Sequence, residues 1–169
     1  MALTDTAITL RAGYQPGIIG AAVEMHARFY SRHAGFGQVF ESKVATEFAA
    51  FAGRLEKPCN GVWSAEMGGR IVGTVAIDGE DFGPGIAHLR WFIVEDGLRG
   101  AGVGRKLLSK AVAFCDGGTF REAQLWTFQG LDAARRLYES RGFILAEERP
   151  GQQWGREVME QRFVRSCSP

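Results

Sequence analysis

The chain has 169 residues, 46% hydrophobic and 23% charged, with 20 basic residues against 19 acidic ones and a formal net charge of +1. That length fits one ordinary domain, 1–169, with a core of its own, and the charge balance excludes a protein whose main work is gripping nucleic acid or an anionic membrane through bulk charge. The value out of line is 23 glycines, against a typical share of about 7%, with neither the Gly-X-Y period of collagen nor a Ser/Pro-rich tract of disorder.

Residues 7–12 (AITLRA) read as a short opening strand. A helix is expected over about 17–31, where Ile18, Ala22, Met25 and Phe29 recur at spacings of four and three. A second helix is expected over 42–55, with Val44, Phe48, Phe51 and Leu55 on one face. After a loop at 57–61, residues 62–67 and 70–78 form a hairpin around Gly68-Gly69. Both faces of its second arm are apolar, as in a strand covered on both sides. The next strand is 87–95. Then the period changes to that of a helix at 102–116, with Val103, Leu107, Ala111 and Phe114 on one stripe, stopped by Gly117-Gly118. A strand at 123–128, a short helix at 132–141 and two closing strands, 143–148 and 156–164 around a Pro150-Gly151 turn, complete an α/β layout with a mixed sheet.

Three cysteines, Cys59, Cys115 and Cys167, are scattered and odd in number, with no CxxC pair. Neither a disulfide framework nor a metal site is expected, and a reducing compartment fits. The opening MALTDTAITL lacks the basic segment and apolar run of a signal peptide. No stretch approaches the ~18 apolar residues of a membrane span. The expectation is a cytoplasmic protein without membrane or nucleic-acid partners.

The segment that carries chemistry joins a strand to a helix: Val94-Glu95-Asp96-Gly97-Leu98-Arg99-Gly100-Ala101-Gly102-Val103-Gly104-Arg105-Lys106. Alternate glycines leave backbone N–H groups accessible at a helix N-terminus, where the dipole and the unpaired N–H groups attract anions. Arg99, Arg105, Lys106 and Lys110 are the charged residues from 99 to 110, and none is acidic. Such a loop suits a phosphate or pyrophosphate. A P-loop would need GxxxxGK[ST], which does not occur, and the dinucleotide GxGxxG is broken because the third glycine comes one residue early.

The pattern [RQ]xxGx[GA], read as Arg99-Gly100-Ala101-Gly102-Val103-Gly104, resembles the pyrophosphate loop of the GCN5-related N-acetyltransferases (GNAT). The stretch 125–143, with Ala134, Leu137, Tyr138, Gly142 and Phe143, resembles that family's strand–helix–strand unit. The resemblance runs from about residue 8 to 164. Through His26, Tyr30, Gly35, Phe40-Glu41 and later Gly155, Val158 and Glu160-Gln161, it looks closest to the acetyltransferase domains that follow MarR-type winged-helix regulators. Within these 169 residues no such regulator is expected.

The resemblance implies a mixed, mostly antiparallel sheet of about six to seven strands with about four helices, whose fourth and fifth strands splay around acetyl-CoA. Phe92, Ile93 and Val94 would then line the pantetheine arm, with an amide near the strand end polarising the thioester carbonyl. Arg99, Gly100, Ala101, Gly102, Val103 and Gly104 would wrap the pyrophosphate, with Arg105 and Lys106 either adding charge or simply solvated. Tyr138 matches the family's acid, donating to the leaving thiolate, or else is a core aromatic. Leu131 stands where the family often has Asn.

The implied reaction is direct attack of an amine on acetyl-CoA in a ternary complex, with no metal and no covalent enzyme intermediate. The acceptor would be a primary amine of a small molecule or peptide. Glu24, His26, Glu41, Glu66 and Glu95 are the candidate bases. An acceptor cleft is expected near His26, Phe29, Tyr30, His33, Phe36 and Phe40. A non-catalytic acyl-CoA-binding module needs the same loop and stays open, as does an oxidoreductase that binds NAD(P). A homodimer through edge strands is compatible with the layout.

Overall fold

The computed structural model describes residues 7–168. Seven strands form one sheet in the order β1-β2-β3-β4-β5-β7-β6. They are β1 (Thr9–Ala12), β2 (Gly61–Met67), β3 (Arg70–Asp78), β4 (Ile86–Val94), β5 (Glu122–Phe128), β6 (Ile144–Gly151) and β7 (Val158–Ser166). Every neighbouring pair is antiparallel except β4 and β5, which run parallel. Four helices flank the sheet: α1 (Ile18–Ala34), α2 (Gln38–Ala52), α3 (Val103–Gly117) and α4 (Asp132–Ser140).

Two cores follow from this sandwich of helix, sheet and helix. On one face the Val103, Leu107, Leu108, Ala111 and Cys115 stripe of α3 and Tyr138 of α4 pack against Val75, Ile77 and Leu125. On the other, Ile18 and Ala22 of α1 and Phe40, Val44, Phe48 and Phe51 of α2 pack against Val62, Ala76 and Trp91. β3 lies between the two layers and is buried from Val72 to Asp78, which is why its apolar residues do not alternate with polar ones.

Two expected boundaries move. α2 begins at Gln38 and ends at Ala52, four and three residues earlier than its apolar stripe implies. Gly37 starts it and Gly53 closes it, while Leu55 still packs on the core from the following loop. The expected Pro150-Gly151 turn is instead the end of β6, paired with Met159 and Val158. β6 is an edge strand, where proline's missing N–H breaks no ladder.

The site is positioned by two departures from regular sheet. β4 and β5 pair only from Ile86–Glu122 to His88–Gln124, and beyond that point the two strands part. A bulge in β4, opposite the step from Thr74 to Ala76, places Trp91 at φ +48, a conformation that side chains other than glycine rarely adopt. Thr74 Oγ1 donates to the Trp91 carbonyl at 2.8 Å and fixes it. As a result Arg90 and Trp91, successive in sequence, both face α2. The Arg90 guanidinium lies 4.1 Å from the Trp91 ring centroid and Trp91 packs on Phe48 and Phe51.

Candidate active site

A cavity of about 630 Å³ opens where β4 and β5 part. Phe92 and Tyr138, which belong to the α3–α4 layer, line it together with Tyr30, Phe36, Phe40 and Phe128 of the opposite layer. Side chains from both faces of the sheet thus meet in one space, so the cavity passes through the split.

Next to Phe92 of the cavity wall, α3 begins in the glycine-rich loop, whose own residues lie outside the cavity lining. Gly100 and Gly102 have φ +90 and +81, and an added Cβ on either would meet nothing within 4 Å. Their lack of side chain serves backbone conformation and leaves open surface above it. Gly104 differs: its Cβ would stand 3.4 Å from both Leu137 and Phe92, so this glycine lets α3 approach β4 and α4. The N–H groups of Val103, Gly104 and Arg105 precede the first intrahelical bond, from Lys106 N–H to the Gly102 carbonyl at 3.1 Å, and no side chain caps them. The amides of Arg99 and Ala101 are engaged inside the loop, with the Asp96 and Leu98 carbonyls. Arg105 and Lys106 are exposed and make no ion pair among the described residues. This end fits a pyrophosphate: free amides, a helix N-terminus and uncompensated positive charge.

Arg99 is held back on the acceptor-side helix. Its guanidinium lies 3.8 Å from the Phe29 ring centroid and its Nε donates to Asp96 at 3.0 Å. Asp96 also meets Arg32 at 3.4 Å. The loop and α1 are therefore latched together.

In the split, Tyr138 is buried, with Phe92, Phe143 and Phe163 around its ring. Burial, aided by the nearby Tyr30 phenol, raises its pKa well above the ordinary tyrosine value. Burial also pushes Tyr30 up to about 12, against the opposing pull of Arg99. Both phenols stay protonated at neutral pH and can only donate or accept hydrogen bonds. Phe92 lines the cavity, whereas Val94 packs towards α3 and Ile93 is buried, and neither of these two lines it.

The candidate bases separate cleanly. Glu24 pairs with Arg28, Glu66 with Arg11 and Glu95 with Arg70, and Glu41 is exposed in the first turn of α2. Of the five, His26 alone lines the cavity. Its Nδ1–H donates to the Ala22 carbonyl at 2.6 Å, which leaves Nε2 as the acceptor nitrogen. Burial lowers its pKa to about 4, too low for an efficient proton acceptor from an alkylammonium. Of the expected acceptor residues, His26, Tyr30, Phe36 and Phe40 line the cavity, whereas Phe29 supports Arg99 and His33 stacks on Phe29 at 4.0 Å. Leu131 packs into the α1–α2 core layer and supplies no polar group. Cys115 is a core thiol, its pKa raised to about 12 by burial first, and inert as a nucleophile.

Several cavity residues were not among the expected site residues, although Glu160 was one of the family marks. Arg90 faces Glu47, Asp78 and Asp81, and His88 Nδ1 meets Asp81 at 2.6 Å. Arg90 and Trp91 both face α2 only because of the bulge, Trp154 arrives from the β6–β7 connection, and Glu160 comes from β7.

Buried His26 gives a pH prediction. The folded state keeps it neutral down to about pH 4, while an unfolded histidine binds a proton near 6.5. The unfolded state then binds more protons, so stability falls as pH drops through that window, by up to about 3 kcal/mol. His88, also lowered by burial first, acts in the same direction. Urea unfolding at about pH 7 and about pH 4.5 measures the loss, and His26→Gln is expected to show a shallower decline than the parent protein. An identical slope in the two proteins would place the sensitivity elsewhere.

Residues 21–143 match the profile of the acetyltransferase (GNAT) family. The chain is also similar to the structure of yncA from Salmonella typhimurium with its cofactor acetyl-CoA, at 18% identity and TM-score 0.76 over 96% of this chain and 95% of that one. It is similar to a ribosomal-protein-alanine N-acetyltransferase from Brucella melitensis, at 16% identity and TM-score 0.75 over 94% and 99% of the two chains. A GNAT acetyltransferase from Staphylococcus aureus Mu50 aligns at 18% identity and TM-score 0.73 over 96% and 100%. At these identities the likeness is one of fold. No curated protein matches the sequence.

Proposed function

The chain belongs to the acetyltransferase (GNAT) family, and we propose from this premise that it is an acetyl-CoA-dependent N-acetyltransferase whose acceptor is a primary amine of a small molecule or peptide. The observation that carries this reading is the cavity lined from both faces of the sheet where β4 leaves β5. A thioester entering from the α3 side and an amine entering from the α1–α2 side would meet there. The family marks at His26, Tyr30, Phe40-Glu41 and Glu160-Gln161 support kinship with domains that accompany MarR-type regulators. Three unpaired cysteines support a cytoplasmic setting.

Bound acetyl-CoA supplies an acetyl group activated as a thioester. The amides of Val103, Gly104 and Arg105 hold the pyrophosphate, with Arg99, Gly100, Ala101 and Gly102 shaping the loop that presents them. The free edge of β4 from Phe92 to Val94 takes the pantetheine as an added strand would, and the bulge at Trp91 frees a backbone amide for the carbonyl oxygen. Tyr138 donates its phenolic proton to the departing sulfur. His26 Nε2 accepts a hydrogen bond from the amine and orients it, while water carries the amine's proton away.

Acetyl-CoA is expected to raise the melting temperature, CoA to do so equally or less, and NAD(P) not at all. No shift at millimolar acetyl-CoA would overturn the assignment. Arg99→Glu reverses charge at the loop and sets a second acid against Asp96. It is expected to weaken acetyl-CoA about tenfold or more in a calorimetric titration, and parental affinity would separate Arg99 from the cofactor.

A further inference from the structure

Among the carboxylates that line the cavity, Glu160 is set apart. Glu47, Asp78 and Asp81 each have at least one cation within ion-pair distance. Asp78, the other deeply buried one, has Arg54 at 2.8 Å and Arg90 at 4.0 Å. Glu160 is 3% exposed and makes no ion pair among the described residues. Its oxygens each accept one N–H from Gln153: the backbone amide at 3.0 Å and the side-chain amide at 2.8 Å. A carboxylate has about four acceptor positions, so roughly half its capacity is left. Buried carboxylates are normally paired with a cation, because unpaired charge away from water is costly.

The surroundings hold this carboxylate in place without neutralising it. Glu160 lies in register with Phe128 on β5 and Arg149 on β6, so all three side chains leave the same face of the sheet. Arg149, the obvious counter-ion, turns instead to Glu147 at 3.4 Å and to the Trp126 ring at 5.1 Å. Gly151 faces the carboxylate, and a Cβ there would stand 2.2 to 2.8 Å from its atoms. Even one methyl group at this position would displace it. Phe128 and Trp154, 5.6 Å apart, form the adjoining aromatic wall of the cavity.

We propose that Glu160 is the residue that selects the acceptor by charge: the acceptor docks in its cationic ammonium form, its charge set between the Glu160 carboxylate and the Phe128 and Trp154 rings. Carboxylate and aromatic faces both attract an ammonium, and both do so more strongly where water is excluded. Docking as a cation precedes loss of the proton and is independent of how that proton leaves. This inference rests on the reading of the cavity as the acceptor site, but it concerns binding alone and can fail while acetyl transfer stands.

The test is a calorimetric titration of the CoA-bound protein, in which no transfer occurs, with 2-phenylethylamine and its neutral isostere 2-phenylethanol at neutral pH. The parent is expected to bind the ammonium about tenfold more tightly or better. Glu160→Gln removes the charge and keeps one of the two acceptor oxygens that Gln153 uses. It is expected to bring the two affinities together while leaving 2-phenylethanol and CoA affinity unchanged. A purely structural Glu160 predicts a lowered melting temperature with the preference intact. Gly151→Ala, which displaces the carboxylate without removing its charge, is expected to erode the preference as well, and it serves if Glu160→Gln does not fold. Equal binding of the two probes by the parent, or a preference retained in either variant, overturns the proposal.

Discussion

Tyr138→Phe is expected to lower kcat about a hundredfold while leaving acetyl-CoA affinity within about twofold of the parent, the size of effect that removing a positioned general acid produces. The substitution deletes one oxygen. The ring keeps its contacts with Phe92, Phe143 and Phe163, so packing is undisturbed. What changes is the proton available to the leaving sulfur. Burial holds the phenol protonated across the physiological range; the acid role therefore predicts no loss of rate from tyrosine ionisation below about pH 10. Steady-state thiol release with Kd from calorimetry separates the two quantities. An unchanged kcat would leave Tyr138 as a core aromatic with no part in the chemistry.

Asp78→Ala is expected to produce the largest loss of stability. Asp78 is buried at the end of β3, where Oδ1 accepts the Glu80 and Asp81 amides at 3.0 and 3.2 Å. Arg54 reaches both of its oxygens, at 3.3 and 2.8 Å, while also donating to Glu80. Asn60 ties the same corner together through the Arg54 carbonyl, the Glu80 carboxylate and the Gly79 amide, at 2.9 Å each. Removing the carboxylate leaves two amides unsatisfied and a guanidinium half-paired. Breaking a buried pair in this way costs about 3 kcal/mol or more, equivalent to roughly 6–12 °C in a domain of this size. Calorimetric melting measures it, and a midpoint within about 2 °C of the parent would mean that solvent already screens the network. Because Arg90 and Asp81 belong to the same network and line the cavity, acceptor binding is expected to weaken in the same variant.

Much of this was legible in one dimension because it is written in local patterns. The stripe of Val103, Leu107 and Ala111, the glycine stop after α3 and the alternation around Gly68-Gly69 report periods of 3.6 and 2, and the elements fall within a few residues of those signals. The loop from Arg99 to Gly104 was legible for a similar reason, since adjacent residues carry it. Its glycines were less so: Gly104 answers to Phe92 and Leu137, which are distant in sequence. The acceptor side was almost illegible. Glu160 becomes a cavity residue only because Pro150 and Gly151 extend β6 rather than turn the chain, and because the register sets Glu160 beside Phe128. Glu24, Glu41, Glu66 and Glu95 looked equal to His26 as bases in sequence. Only the packing of α1 against the sheet separates them, placing His26 inside and the carboxylates at the surface or against arginines.

The central claim is that the space between β4 and β5 joins a bound acyl-CoA to an amine. Its most direct test is incubation of the protein with acetyl-CoA and a panel of primary amines, following free thiol and identifying acetylated amine by mass spectrometry. The account predicts equal amounts of thiol and N-acetyl product with at least one cationic amine, and about a hundredth as much of both in Tyr138→Phe over the same time. Cofactor-induced thermal stabilisation without thiol release on any amine would contradict it and leave a protein that binds acyl-CoA without transferring its acyl group.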